Sequence, residues 1–187
     1  MSKFKVKSGK LNITDPCYTD GTWCALFEMK AKNGIWKAEI ETGYEDRVKI
    51  LRAYHINHPA ASPFPKIGEV GVDSGQMSII DSDSYPKGGD DTGECGDFNN
   101  EERIPISFYD ECCKATLSED MFGIVSKYAS GAVSSTGLGD GLYNVYGEMD
   151  GKELVAVEIV FMDDNFEYCN GCGEYEDECI CNDDEDE

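Results

Sequence analysis

The sequence predicts a mainly β fold with some helix (β-rich α+β): an antiparallel sandwich or partly closed barrel with one or two short helices and a C-terminal cysteine knuckle. Three observations lead to this fold class. Short segments alternate apolar and polar residues, turn-forming residues separate them at short intervals, and an apolar hairpin lies near the C-terminus. With 40% hydrophobic residues in a chain of 187, a full core can form. We assign residues 1–162 to one β-rich domain and residues 163–187 to an acidic, cysteine-rich tail.

The N-terminal third is typical of an antiparallel meander. Phe27, Met29 and Ala31 alternate with polar residues, and Asn33-Gly34 then supplies a favoured two-residue hairpin turn. The alternation continues on two more predicted strands, after which the proline-rich stretch 57–65 forms a loop or a boundary. The apolar residues of these two strands are Trp36, Ala38 and Ile40, followed by Val48, Ile50 and Tyr54.

The middle of the chain predicts two short strands, a long loop and then helix. The strands cover 67–72 and 76–80, and the stretch 83–100, which is rich in Gly, Asp and Asn, forms an exposed loop. A first helix begins after Ser107, and Ser118 caps a second one. The residues that indicate one face of the second helix are Met121, Phe122, Val125 and Tyr128.

The clearest predicted element is a hairpin near the C-terminus. Segments 142–148 and 153–161 flank Asp150-Gly151, for which we predict a type I′ turn with two positive φ values. Apolar residues occupy both faces of the second segment, as expected of a strand inside a sandwich or under a helix. The tail that follows contains no lysine or arginine.

The charge of the chain disfavours some classes of function. The net charge of −22 runs from +4 over residues 1–66 to −10 over 67–130 and −16 over 131–187. Such a field repels nucleic-acid phosphates and anionic lipids, so we expect no direct nucleic-acid binding and no membrane association. A small molecule or a basic protein is the expected partner, although acidic surfaces also serve solubility alone. With no hydrophobic signal segment at its start, the protein is expected in the cytoplasm.

Four cysteines in the tail indicate a metal site. Cys169 and Cys172 form a Cys-x-x-Cys-Gly turn of the kind that aims two thiolates at a tetrahedral zinc, and Cys179 and Cys181 follow with a shorter spacing than a zinc ribbon has. We expect a structural zinc on these four thiolates. An iron–sulfur or redox role and unligated thiols are the alternatives. The chain has nine cysteines but no export signal, so a disulfide framework is not expected.

Three polar turns are the candidate ligand-binding elements. Residues 14–18 turn the chain at the end of an early strand, 71–76 join two short strands, and 137–143 lead into a later strand. Local structure explains each turn equally well, as a corner, a tight turn and a bulged strand entry. If the fold brings them together, they form one pocket. The ligand-binding candidates are Asp15, Tyr18, Asp73, Ser74, Gln76, Asp140 and Tyr143.

The same turns contain candidates for catalysis. Asp73 and Asp140 can act as a pair in hydrolysis if they lie close together, and Cys17 can act as a nucleophile if a base lies beside it. The two histidines, His55 and His58, have no sequence relation to Cys17. Loop 137–143 does not match a phosphate-binding loop, because no helix follows and no lysine is adjacent. The sequence leaves open whether the protein is an enzyme, and it favours a function without catalysis.

Taken in order, the three turns resemble an uncharacterised family of phage and bacterial proteins. Its members have an early DPCY turn, a central VDSGQ-type turn and a GDGxYxVY strand before an apolar hairpin, which correspond here to 15–18, 72–76 and 139–146. The resemblance spans about residues 10–162 and leaves the cysteine tail outside. It implies one compact β-rich domain in a phage or bacterial setting, with the bacterial host cytoplasm as the location. It implies no activity.

Three hypotheses for function follow. The first is a non-catalytic binding protein that sequesters a small molecule or a host protein. The second is a hydrolase that uses Asp73, Asp140 and Cys17. The third is an acidic nucleic-acid mimic that inhibits a basic protein. The first two require Asp15, Asp73 and Asp140 to line a common cleft.

Overall fold

A computed structural model of the chain describes residues 2–18, 20–58, 63–87 and 104–163. These residues form β-strands, one α-helix and two short 3-10 turns, at Tyr44–Asp46 and Ser82–Ser84. The elements in chain order are β1 (Ser2–Val6), β2 (Lys10–Thr14), β3 (Leu26–Lys30), β4 (Gly34–Thr42), β5 (Val48–His55), β6 (Lys66–Val72), β7 (Gln76–Asp81), α1 (Phe108–Thr116), β8 (Phe122–Val125), β9 (Gly131–Ser135), β10 (Gly141–Asp150) and β11 (Glu153–Val160).

The strands form two antiparallel sheets that face each other. The first sheet has six strands in the order β1-β4-β5-β11-β10-β6, and the second has five in the order β3-β2-β7-β9-β8. Neither sheet closes into a barrel, so the mainly β prediction is confirmed as a sandwich. The single helix of the described part has nine residues, and no helix there is long and apolar enough to cross a membrane.

The main core lies between the two sheets. Trp36, Leu51 and Ile159 of the first sheet pack in one cluster with Leu11 and Met77 of the second, and all five are buried. Side chains from alternate positions of each strand fill this layer, because successive residues of a strand point to opposite faces. The period-two pattern predicted around Trp36 therefore marks the inner face of the first sheet. The pattern predicted for β5 is wrong in part, because Leu51 and Ala53 are in the core with Val48, whereas Ile50 and Tyr54 are not.

Helix α1 covers the other face of the second sheet. Phe108 and Cys112 of the helix form a second buried cluster with Ile80 and Val133. The helix begins as predicted after Ser107, whose Oγ accepts a hydrogen bond from the backbone N–H of Asp110 at 3.0 Å. Strand β7 is consequently buried along its whole length, and this double support fixes the turn that precedes it.

The predicted hairpin at Asn33-Gly34 is wrong. Strand β3 pairs with β2 in the second sheet, whereas β4 pairs with β1 and β5 in the first, so the chain crosses between sheets there. Gly34 has a φ of 139°, and a Cβ on it would lie 2.4 Å from His55 Nε2. The glycine is needed because β4 passes close to His55, and it is not part of a two-residue turn.

The second predicted helix is also wrong. Phe122–Val125 is strand β8, which pairs antiparallel with β9 at the edge of the second sheet. A Cβ on Gly123 would lie 2.7 Å from Ala115 Cβ, so the strand packs closely under α1. A short apolar segment satisfies helical and strand spacing equally, and here the partner strand β9 decides between them.

The C-terminal hairpin is confirmed, with a different turn. Asp150 pairs with Glu153, so Gly151 and Lys152 form the loop between β10 and β11. Gly151 has a φ of 65°, while neither Asp150 nor Lys152 has a positive φ. The expected type I′ turn, which needs two positive φ values, is therefore not formed.

The cysteines of the described part do not all behave as expected. Cys17, Cys24 and Cys112 are free, and Cys112 is buried. Cys113 is disulfide-bonded, although no disulfide framework was expected. Cys95 and the four tail cysteines lie outside the described residues.

Candidate functional site

The three polar turns meet because the strands that carry them end at the same edge of the sandwich. Gly141 at the start of β10 pairs with Val72 at the end of β6, which places two of the turns side by side on the first sheet. In the second sheet, Thr14 at the end of β2 pairs with Ser78 of β7. The turn 73–75 crosses from one sheet to the other, so it lies between the other two.

Asp15 joins the first turn to the second. Its Oδ1 accepts hydrogen bonds from the backbone N–H of Cys17 at 2.8 Å and from Ser74 Oγ at 2.6 Å. Its Oδ2 accepts from the backbone N–H groups of Asp73 and Ser74, each at 2.8 Å. Asp15 has 0% of its surface exposed, so this carboxylate serves the architecture of the two turns and does not reach a ligand.

Asp140 joins the third turn to the second. Its Oδ1 accepts a hydrogen bond from the backbone N–H of Gly75 at 2.9 Å. A second link runs from the backbone N–H of Thr136 to the carbonyl oxygen of Gly75 at 3.0 Å. Within the third turn, Tyr143 Oη donates to the carbonyl oxygen of Gly139 at 2.8 Å. The turns are thus one connected unit.

A cavity of about 610 Å³ opens beside this unit. We call it the turn cavity. It is lined by side chains from all three strand ends and from the loop that precedes β3, chiefly Tyr18, Trp23, Cys24, Asp73, Asp140 and Leu142. The remaining lining residues are Thr22, Gly71, Val72 and Gly141, so among the described residues two carboxylates face this space and no lysine, arginine or histidine does.

The loop that carries Trp23 is fixed against β6. The backbone N–H of Gly71 donates to the carbonyl oxygen of Cys24 at 2.8 Å. A Cβ on Gly71 would lie 3.2 Å from both Cβ and Sγ of Cys24, so glycine allows this close approach. The loop therefore forms one wall of the turn cavity, with Trp23 at its rim.

Tyr18 and Asp73 form a polar pair in the cavity wall. Tyr18 Oη donates to Asp73 Oδ2 at 2.8 Å. Burial raises the pKa of the Tyr18 hydroxyl well above its usual range, and the neighbouring Cys24 and Asp73 raise it further. The phenol keeps its proton at neutral pH and holds the Asp73 carboxylate in place.

Besides Asp15, three of the predicted ligand-binding residues do not line the turn cavity. Ser74 is used in the hydrogen bonds to Asp15. Gln76 is buried near α1, where its Oε1 accepts from Thr116 Oγ1 at 3.1 Å. Tyr143 belongs to the core and packs edge-on against Phe161, with 5.1 Å between ring centroids. Of the predicted set, Tyr18, Asp73 and Asp140 line the turn cavity.

Cys17 is exposed but is poorly suited to be a nucleophile. Desolvation of its thiol, followed by the negative charge of Asp15, raises the pKa of Cys17 to about 12. Cys17 does not line the turn cavity, and neither does His55 or His58. His55 belongs to β5 and packs edge-on against Trp36, with 6.3 Å between ring centroids. The cysteine and histidines do not form a nucleophile–base pair at the cavity.

The predicted metal ligands Cys169, Cys172, Cys179 and Cys181 lie outside the described residues. Within the ranges that the structure describes, no group of three or more His, Cys, Asp or Glu residues can hold a metal ion. The zinc site therefore stays a prediction from the sequence.

Trp23 and Leu142 line the turn cavity but were not among the predicted ligand-binding residues. Trp23 is 91% exposed and Leu142 is 64% exposed, and both lie at the rim of the turn cavity. The signal in the sequence is the position of Trp23 in the segment 20–24, which lies between strands and contains no alternating apolar partners. A large aromatic residue in such a loop has no place in a core layer, so it is a candidate for ligand contact.

Comparisons with known proteins gave no relative. No family model matches the chain, and searches against curated proteins and solved structures gave no significant match.

Proposed function

We propose that this protein is a non-catalytic binding protein that holds a small molecule in the turn cavity. The observation that carries the proposal is the convergence of three turns, widely spaced in the sequence, whose Asp73 and Asp140 face one cavity with an exposed tryptophan at its rim. Concave sites that combine apolar walls with a few fixed polar groups are the usual form of small-molecule sites. The cavity volume of about 610 Å³ lies in the range of such sites.

The hydrogen bonds at the site support binding without catalysis. Asp73 and Asp140 each use one carboxylate oxygen to accept from a neutral donor of the fold, the Tyr18 hydroxyl and the Gly75 N–H. These contacts hold both groups in fixed positions, as a binding site requires. The Cys17 thiol is protonated at neutral pH and lies outside the cavity lining.

The resemblance of the three turns to phage and bacterial proteins gives the proposal a setting. In that setting, a phage-encoded or bacterial protein that sequesters a small molecule interferes with the host process that needs the molecule. Sequestration requires affinity and abundance but no turnover, in agreement with a lining that has no histidine or lysine among its described residues to serve as a base. The alternative to a small molecule is a host protein that inserts a side chain into the turn cavity and is sequestered in the same way.

The two tryptophans of the chain allow a direct test. Trp36 has 0% exposure and Trp23 has 91%, so collisional quenching by acrylamide reports on Trp23. Pools of small metabolites are screened for protection of Trp23 from quenching, and the affinity of each hit is measured by calorimetry. We expect hits whose affinity falls in Leu142→Ala, because that side chain lines the cavity.

Leu117→Ala is the matched control. Leu117 is 65% exposed, close to the 64% of Leu142, but it follows α1 and does not line the cavity. A bound metabolite whose affinity is the same in Leu142→Ala, Asp140→Asn and the native protein sits elsewhere and contradicts the proposal. So does a complete screen in which nothing protects Trp23.

Hydrolysis is the second candidate function, because Asp73 and Asp140 line the same cavity. It requires one carboxylate to act as acid and the other as base or nucleophile. Mass spectrometry of a cavity ligand after prolonged incubation with the protein separates the two functions. If the ligand is converted, and Asp73→Asn abolishes the conversion but not the binding, the protein is a hydrolase. If the ligand is unchanged, the protein only binds it.

A further inference from the structure

We infer that the turn cavity is selective for an organic cation, an ammonium or guanidinium group on an apolar stem. The inference rests on the proposed binding function and adds the chemical class of the ligand. It comes from the charge of the cavity lining and from the surroundings of Trp23.

Within the described ranges, no cationic side chain neutralises the two cavity carboxylates. Neither Asp73 nor Asp140 forms a salt bridge with a described residue, and both accept only from neutral donors. Two acids elsewhere in the described part show the pairing that the cavity lacks. Buried Glu158 accepts from Arg52 Nε at 2.7 Å, and Asp150 accepts from Lys32 Nζ at 2.9 Å. A cation in the turn cavity would lie beside two carboxylates that have no cationic partner among the described residues, and it would be attracted by both.

Trp23 offers the second contact for a cation. In the described part of the chain, Lys127 Nζ lies 4.5 Å from the ring centroid of Tyr128, and Lys37 Nζ lies 5.3 Å from that of Tyr54. No described lysine or arginine covers Trp23 in this way, although tryptophan is the most favourable aromatic partner for a cation. Its 91% exposure leaves the ring open to a ligand.

The apolar part of the lining accounts for the stem. Leu142 is 64% exposed at the rim, and the Trp23 ring, 91% exposed, lies at the same rim. A hydrocarbon stem packed on these side chains loses contact with water while its charged end stays near the carboxylates. The two contact types favour a molecule with a cationic end and an apolar body over an inorganic cation.

Anions and neutral sugars fit this lining less well. An anionic ligand meets two carboxylates and a molecule with a net charge of −22. A sugar can stack on Trp23 and donate hydrogen bonds to the carboxylates. However, it also needs donors from the protein, and the Tyr18 hydroxyl is already used by Asp73. A cation gains from both carboxylates and from the Trp23 ring.

The test uses three probes that share an aromatic stem and differ in charge: phenylethylammonium, 2-phenylethanol and 3-phenylpropanoate. Binding is measured by Trp23 quenching and calorimetry at low salt, with cellobiose as a sugar probe. We expect the ammonium probe to bind at least about tenfold more tightly than the alcohol. The carboxylate probe should bind most weakly of the three. Raising the salt from about 0.02 M to about 0.5 M should weaken only the ammonium probe strongly.

Two isosteric variants remove the charge and keep the fold. In Asp73→Asn and Asp140→Asn, the amide oxygen can still accept from the Tyr18 hydroxyl or the Gly75 N–H. We expect each to weaken phenylethylammonium about fivefold or more and to leave 2-phenylethanol unchanged. Asp120→Asn, at an exposed position outside the cavity, removes the same unit of charge and should change neither affinity.

The outcomes separate the two proposals. Equal affinity for all three stems, or binding of cellobiose alone, overturns the cation inference and leaves the binding function in place. A uniform loss in all three asparagine variants also overturns the inference, because it assigns the effect to overall charge. If no probe of any charge alters Trp23 quenching at millimolar concentrations, the inference fails, and an empty metabolite screen then removes the binding function as well.

Discussion

At the scale of single residues, burial divides three similar aspartates into two roles. Asp15 is fully buried and accepts four hydrogen bonds from the two turns that it joins. Asp73 and Asp140 accept one bond each from the fold and face the turn cavity. All three occur in turns with glycine or proline nearby, so the sequence alone treated them as one ligand-binding set.

Replacing Asp15 with asparagine should destabilise the fold. Each carboxylate oxygen of Asp15 accepts two hydrogen bonds, so the amide nitrogen of asparagine would replace one of these acceptors. That nitrogen is itself a donor, and the two hydrogen bonds on its side would be lost. We expect a loss of about 3 kcal/mol in the free energy of unfolding, measured by urea denaturation. Asp120→Asn, at an exposed site, should stay within about 0.5 kcal/mol of the native protein. A loss below about 1 kcal/mol in Asp15→Asn would show that these bonds do not hold the turns together.

Cys17 should alkylate slowly despite its exposure. Because its pKa is raised to about 12, the thiol is almost entirely protonated at neutral pH. The rate of reaction with iodoacetamide, followed by mass spectrometry of the peptide that holds Cys17, should rise about tenfold per pH unit between about pH 8 and 10. Glutathione serves as the reference thiol. A rate that levels off near neutral pH would indicate an activated thiolate and would favour the hydrolase hypothesis.

At the scale of elements, the site depends on where the chain crosses between the sheets. Strand β6 lies in the first sheet and β7 in the second, and the turn 73–75 between them is the centre of the site. The sequence predicted both strands with nearly their observed bounds, but it could not assign them to sheets. Period-two alternation reports which residues face inward, and it carries no information on which strand is the neighbour.

The same limit explains the two wrong element predictions. Asn33-Gly34 has the composition of a hairpin turn, yet a long-range contact with His55 is what requires the glycine. Residues 122–125 have apolar spacing that fits a helix, yet pairing with β9 makes them a strand. In contrast, the hairpin of β10 and β11 was predicted correctly because its partners are adjacent in the sequence.

Gly137→Ala should damage both stability and binding. A Cβ on Gly137 would lie 2.1 Å from the carbonyl oxygen of Val48, and its φ of 66° already disfavours alanine. We expect about 3 kcal/mol of lost stability in urea unfolding. The displaced loop should also weaken the contact of Asp140 with Gly75, so the affinity of cavity ligands should fall.

Gly139→Ala in the same loop is the control. Gly139 has a φ of 88°, but a Cβ there would meet no atom within 4 Å. It should cost only the backbone strain, about 1 kcal/mol. Equal losses in the two variants would mean that the backbone conformation, and not the approach to Val48, sets the cost.

At the scale of the whole molecule, the three turns lie side by side, but only Asp73 and Asp140 line the turn cavity, since Asp15 is buried beneath them. The paired ends of β6 and β10 and of β2 and β7 bring residues 15, 73 and 140 into one unit. The sequence did not predict Trp23, because a residue in a loop has no strand register that would place it. The position of Trp23 at the cavity rim depends on the hydrogen bond between Gly71 of β6 and Cys24, which joins residues far apart in the sequence.

The acidic tail should be a separate, metal-dependent module of the full chain. The cysteines at 169, 172, 179 and 181 span only 13 residues, so four thiolates can close one tetrahedral zinc site without help from the sandwich. We expect elemental analysis of protein purified without chelator to find about one zinc per chain. The double variant Cys169→Ser/Cys172→Ser should lose the metal, whereas Cys17→Ser/Cys24→Ser should retain it. Because the tail is outside the sandwich sequence, chelation should leave the urea midpoint of residues 1–162 unchanged. Less than one tightly held metal per chain, or equal loss in both double variants, would rule out the four-thiolate site.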